Sequence, residues 1–154
     1  MSSNRAYLDA LRMLARRELS EAQVRQRLGR REHDPDLIDE AVARLKDERA
    51  IDDRRVAEAI ARSETSVRKR GKLRVKRKIE SAGVSSSVAK QATDETFAGL
   101  DADALLDAAL ARRLRHGKAI ANDREFNRLY RYLIGQGFES DKALTALRRR
   151  KCST

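Results

Sequence analysis

The feature that most constrains this chain is a phrase it uses three times: a helix end, a turn and a restart. The copies are Leu28-Gly29-Arg30-Arg31-Glu32-His33, Ile79-Glu80-Ser81-Ala82-Gly83-Val84 and Leu133-Ile134-Gly135-Gln136-Gly137-Phe138. Aligning Leu37, Val88 and Lys142, just beyond the three turns, gives offsets of 51 and 54 residues. Tetratricopeptide arrays repeat at about 34 residues, so a different repeat is expected.

Helical patterning fills the space between the phrases. After the first turn, Asp34 can cap a helix with Pro35 at its first position and Leu37, Ile38, Ala41, Val42 and Leu45 as its buried stripe. After the second, Ser85 is the cap and Val88, Ala89 and Ala92 the stripe. After the third, Glu139, Ser140 and Asp141 open a helix carrying Ala143, Leu144 and Leu147. Ahead of each turn stands a middle helix. Ser20 with Gln23 reads as a capping box before Val24 and Leu28. Asn122 with Glu125 opens the counterpart with Phe126, Leu129, Tyr130 and Leu133 inward, and Leu73, Val75, Ile79 and Ala82 supply a thinner stripe between them. Leading helices bring Tyr7, Leu11 and Leu14, then Val56, Ile60 and Val67, then Leu106, Ala109, Leu110 and Leu114. The expected fold is all-α: an elongated tandem array of three three-helix, helix-turn-helix-like repeats over residues 1–54, 55–100 and 101–154. Helices this short are marginal alone, so packing within and between units must hold them.

Composition agrees. Ala, Leu, Arg, Lys, Glu and Gln favour helix, aromatic residues make up only 4% and Pro35 is the single proline. No apolar stretch approaches the roughly 20 residues of a membrane span, and no signal-peptide core is apparent, so a cytoplasmic protein without a membrane partner is expected. Cys152 has no second thiol to pair with.

The net charge of +11 is shared unevenly. Residues 1–54 carry 12 basic and 12 acidic side chains, residues 55–100 carry 11 against 5, and residues 101–154 carry 12 against 7. Arg68, Lys69, Arg70, Lys72, Arg74, Lys76, Arg77 and Lys78 crowd one loop and the helix after it, and Arg124, Arg128 and Arg131 recur on one helical face. Such faces attract phosphate backbones or acidic protein surfaces; the competing reading is a solvated face that keeps the chain soluble. Lys and Arg position a nucleic-acid backbone without specifying sequence, so a non-specific helical DNA-binding protein is the alternative function.

Enzyme signatures do not appear. His33 and His116 stand far apart, away from any cysteine or ligand-spaced acidic group, and the seven glycines form no phosphate-cradling motif. Neither a metal nor a cofactor is expected. The one compact acidic pair, Asp52-Asp53, reads as a junction, because Asp at an N-cap satisfies free amides and favours the positive end of the next helix.

That junction lies in Ile51-Asp52-Asp53-Arg54-Arg55-Val56-Ala57, which resembles the most characteristic phrase of the RecX family of recombination regulators, with Asp52, Asp53 and Arg55 as its motif residues. Leu14 to Glu21 with Val24, Arg25 and Leu28 resembles the family's opening unit. Gly71 to Gly83-Val84 matches its glycine-to-glycine helix, and Phe126 to Phe138 its third repeat. The chain departs where Val56 replaces a usual Phe, Lys78 a usual acid and Gly71-Lys72 a frequent Gly-Pro. The resemblance implies a monomeric, non-enzymatic protein that binds the RecA recombinase and its filaments on single-stranded DNA, limiting filament growth, ATP hydrolysis and strand exchange. On that reading Arg68 to Lys78 anchor the docking, supported by Arg124, Arg128 and Arg131, and single-stranded DNA is a secondary, non-specific partner.

Overall fold

The computed structural model describes residues 2–115 and 118–151, so His116 and Cys152 lie outside the described residues. Nine helices are found there: α1 (Ser2–Arg16), α2 (Glu21–Arg30), α3 (Pro35–Asp47), α4 (Asp53–Ser66), α5 (Lys72–Ser81), α6 (Ser86–Ala98), α7 (Ala102–Ala111), α8 (Asp123–Gly135) and α9 (Ser140–Arg149). Among the described residues the only extended pairing is a single parallel bridge between Ile120 and Lys151.

Caps set the helix starts. Ser20 accepts from the Gln23 amide while the Gln23 side chain accepts from Ser20, and Asp34 caps α3 with Pro35 in its first turn. Ser85 caps α6. Asn122 accepts from the Glu125 amide, and the Glu125 carboxylate accepts from Ala121 N–H.

The main helix packing stays within α1–α3, α4–α6 and α7–α9, and the buried apolar residues form three clusters. Val24, Leu28, Val42 and Leu45 centre the first, Val75, Ile79, Ala61 and Ala89 the second, and Leu110, Leu133, Ala143 and Leu147 the third. Phe97 packs against both of the last two and links them. Three small cores in a row expose more surface than one large core. The accessible area is 9906 Å², against about 7,900 Å² for a compact chain of this mass.

Three apolar expectations need correction. Leu73 is 52% exposed, because residues two apart point to opposite sides of a helix and Val75 already faces the core. Val67 is 65% exposed; α4 ends at Ser66, and the chain turns away there through Lys69, whose φ is 55°. Along α1 the innermost residues are Ala6, Ala10 and Met13, while Tyr7, Leu11 and Leu14 flank them. Tyr7 earns its place at the edge, where Arg44 lies 3.8 Å from its ring centroid and its hydroxyl donates to Glu48.

What joins the units is the alignment of their middle helices. The N–H groups of Gly71 and Leu73, at the start of α5, donate to the carbonyls of Gln136 (2.8 Å) and Gly137 (3.1 Å) just beyond the end of α8. Gly71 offers no side-chain cap, so the next unit's carbonyls replace one. One joint earlier the Ser20 hydroxyl, at the start of α2, donates to the carbonyl of Ala82 beyond the end of α5. The helices α8, α5 and α2 therefore run end to end, with each negative C-terminal pole against a positive N-terminal pole.

Glycine is required where the ends meet. Gly137 has φ 97°, and a Cβ there would lie 2.4 Å from the Arg74 amide nitrogen; Gly83 has φ 90°, and its Cβ would lie 2.5 Å from that of Ala22. At the equivalent turn of the first unit Glu32 occupies the position with φ 63°. Gly137→Ala is expected to destabilise by about 2 kcal/mol or more, since left-handed strain adds to overpacking. Glu32→Gly should be neutral or stabilising, because it relieves about 1–2 kcal/mol of the same strain with no clash to make. Thermal unfolding followed by helical circular dichroism checks both signs.

Candidate functional site

The candidate surface is the outer side of these aligned helices. Core residues fix a common register, with Val24, Val75 and Leu129 equivalent, then Leu28, Ile79 and Leu133. In that register Gln23, Arg74 and Arg128 correspond, as do Gln26, Arg77 and Arg131. Part of the charge asymmetry has this local origin: at these two positions the first unit has glutamine where the other two have arginine.

The basic residues expected to meet a partner fall into two groups. Some bind the protein to itself. Lys72 Nζ lies 2.8 Å from Asp94 on α6, and Arg74 donates to the carbonyl of Gly135 at 2.9 Å. Both side chains stand at the positive end of α5, where a cation is disfavoured, and each meets negative charge from a neighbouring element. Arg68 approaches the buried Glu64 at 3.7 Å. Lys69 and Arg70 are half-buried in the α4–α5 turn, and the Arg70 amide donates to the Glu64 carbonyl at 2.9 Å. The others face outward: Arg77, Lys78, Arg124, Arg128 and Arg131 are exposed and form no ion pair among the described residues.

The acidic junction contributes to the first joint. Asp52 accepts from the Arg55 amide and caps α4, while Asp53 reaches across to accept from the Glu21 amide at 2.9 Å, capping α2 of the preceding unit. Arg55 pairs with Glu18 at 2.6 Å and donates to the carbonyls of Arg49 and Ala50. Asp53 and Arg55 thus hold units together, while Asp52 fixes the start of α4.

Sequence reasoning missed Arg112. At the end of α7 it donates to the carbonyls of Val67 (2.6 Å) and Arg68 (3.3 Å), clamping the end of α4 to the third unit. The only signal was its membership of a basic run, which does not distinguish a clamp from a free cation. Among the described residues no group of acidic, histidine or cysteine side chains could hold a metal. His33 pairs with Asp9 at 2.8 Å inside the first unit. No helix among the described residues is long and apolar enough to cross a membrane.

Known proteins resemble this chain in sequence and in fold. The family model described as RecX, first three-helix domain, matches residues 6–45. The regulatory protein RecX of Halorhodospira halophila is 33% identical over 138 residues, covering 89% of this chain and 83% of its own length. The chain belongs to the RecX family. The regulatory protein RecX of Chromohalobacter salexigens is 32% identical, covering 90% of this chain and 88% of its own. A crystal structure of RecX from Lactobacillus salivarius superposes with a TM-score of 0.78 at 22% identity, covering 96% of both chains. The RecX fold is thus shared even where few residues are.

The Lys72 link gives a pH prediction. Hydrogen bonds from Lys72 and Lys90, with their charges, hold the Asp94 carboxyl down to about 2. A carboxyl depressed in the folded state contributes stability above its unfolded value of about 4 and loses it as pH falls through the folded value. Asp94 should therefore titrate near 2 in a carbon-detected NMR titration, and Lys72→Met should move its midpoint up towards the usual carboxylate range.

Proposed function

We propose that this chain binds the RecA recombinase and its filaments on single-stranded DNA and limits filament growth, ATP hydrolysis and strand exchange, without chemistry of its own. Family membership supports the reading, since relatives over nearly the whole length carry the name regulatory protein RecX. The observation that carries it is the line of exposed arginines on consecutive middle helices, Arg77 on α5 and Arg128 and Arg131 on α8. An elongated array with one charged side suits a partner that is itself long, because each added unit extends the contact. Asp and Glu on a recombinase surface, or phosphates beside it, complement that charge. Residues 1–54, 55–100 and 101–154 act in this proposal as three successive contact units.

The exposed residues also favour a weaker second activity, sequence-independent binding to DNA. Arg and Lys on an open helix face contact phosphates, and such contacts carry no sequence information. Such binding should fall steeply with salt. Recombinase binding should instead survive nuclease treatment in a pull-down.

The test titrates the chain into preformed RecA filaments while ATP hydrolysis and filament length are followed together. Both should fall. Arg77→Glu with Lys78→Glu, and separately Arg128→Glu with Arg131→Glu, should each weaken inhibition about ten-fold or more, because reversing charges at an interface costs more than one kcal/mol. Arg74 is left intact because it holds the joint. Helicity should be unchanged, and inhibition equal to that of the unsubstituted chain would contradict the proposal.

A further inference from the structure

The first unit is electrically balanced in sequence but not in space. The C-terminal part of α1 and the second half of α2 enclose a concavity of about 220 Å³ lined by Arg12, Met13, Arg16, Arg17, Arg27 and Arg31. Five of its six lining residues are arginine and none is acidic. Four of the unit's carboxylates are engaged elsewhere: Glu21 with Arg25 and Lys46, Asp39 with Arg25, Glu48 with Arg44, and Glu18 with Arg55.

Local compensation is too small to account for the cluster. Asp9 approaches Arg12 and Arg31, each at 3.6 Å, and also holds His33. Arg16, Arg17 and Arg27 form no ion pair among the described residues. The C-terminal poles of α1 and α2 supply about half a negative charge each. Against five guanidinium groups, one carboxylate and two half-charges leave an excess of about three positive charges facing one hollow.

We propose that this hollow binds the phosphodiester backbone of a nucleic-acid strand, at a site separate from the arginine line of the second and third units. The chemistry of the lining selects that ligand. Guanidinium groups match phosphate oxygens in planar, two-point hydrogen bonds that lysine cannot reproduce. Arg12 and Arg16 are one turn apart on α1, and Arg27 and Arg31 one turn apart on α2. This gives two rows with a spacing of about 5–6 Å, comparable to the separation of neighbouring phosphates along a strand. No aromatic residue lines the hollow, so it offers bases no aromatic platform, and the phosphate contacts themselves carry no sequence information. Met13 is its only apolar residue and is itself buried, which leaves no pocket for the hydrophobic anchor of an acidic peptide. The inference does not depend on recombinase binding.

Fluorescence anisotropy of the full chain with labelled oligo(dT) over a salt series tests it. Each single-strand phosphate contact contributes about 0.7 to the slope of log affinity against log salt. Arg16→Glu with Arg27→Glu should lower affinity and make the slope shallower by about 1.4 if each side chain holds one phosphate. Arg16→Gln with Arg27→Gln should have the same sign, and it decides the matter if circular dichroism shows that the Glu pair loses helix. An unchanged slope and affinity overturns the proposal. So does displacement of the strand by polyglutamate as effectively, charge for charge, as by unlabelled oligo(dT), since that would make the hollow a site for acidic protein. Inhibition of RecA ATP hydrolysis measured on the same variants separates this outcome from failure of the recombinase reading.

Discussion

Everything in this fold depends on how the free ends of three short helices are satisfied. A helix leaves its first amides and last carbonyls unpaired, and in a chain of helices of 10 to 15 residues those ends are a large fraction of the backbone. Here the start of α5 is capped by carbonyls that follow α8, the start of α2 is capped by Ser20 and Asp53, and the Ser20 hydroxyl in turn satisfies the Ala82 carbonyl beyond α5. The two ends of the row differ accordingly. Asn122 at the start of α8 caps its own helix, and Glu32 beyond α2 stands where the other units need glycine. The same joint that satisfies the backbone aligns the helices, and that alignment places Arg77 and Arg131 in equivalent positions on consecutive helices, with Arg128 one turn before Arg131.

Much of this was legible in sequence for a physical reason. Caps and turns are local, so Ser20 with Gln23, Asp34 with Pro35, Ser85, and the three repeated turns could be read directly. Core stripes were legible wherever spacing followed the helical period, as at Val24 and Leu28 or Leu129 and Leu133. Leu73 failed because it was taken together with Val75, a separation that no helix brings to one side. Val67 failed because the end of α4 is set by the turn through Lys69, which carries no glycine or proline to mark it.

The surface was less legible than the core, because a charge does not announce its partner. Lys72 and Arg74 belong to the same basic run as Arg77 and Lys78, yet they hold Asp94 and the Gly135 carbonyl inside the protein. Arg112 and Arg55 act likewise as clamps on backbone carbonyls. Conversely, the neutral total of the first unit concealed a hollow lined by five arginines. Net charge per segment sums over side chains that face different ways, and only the fold separates them.

The end-to-end joints at Gly71 and Ser20 should hold the three units as one row. The most direct measurement is the distance distribution between spin labels at the exposed positions 26 on α2 and 127 on α8, with Cys152 replaced by serine, by pulsed electron resonance. A row held by its joints predicts one narrow distribution, the same for the free chain and for the chain on RecA filaments. A broad or multiple distribution in the free chain would show that the units move independently, and would contradict the account.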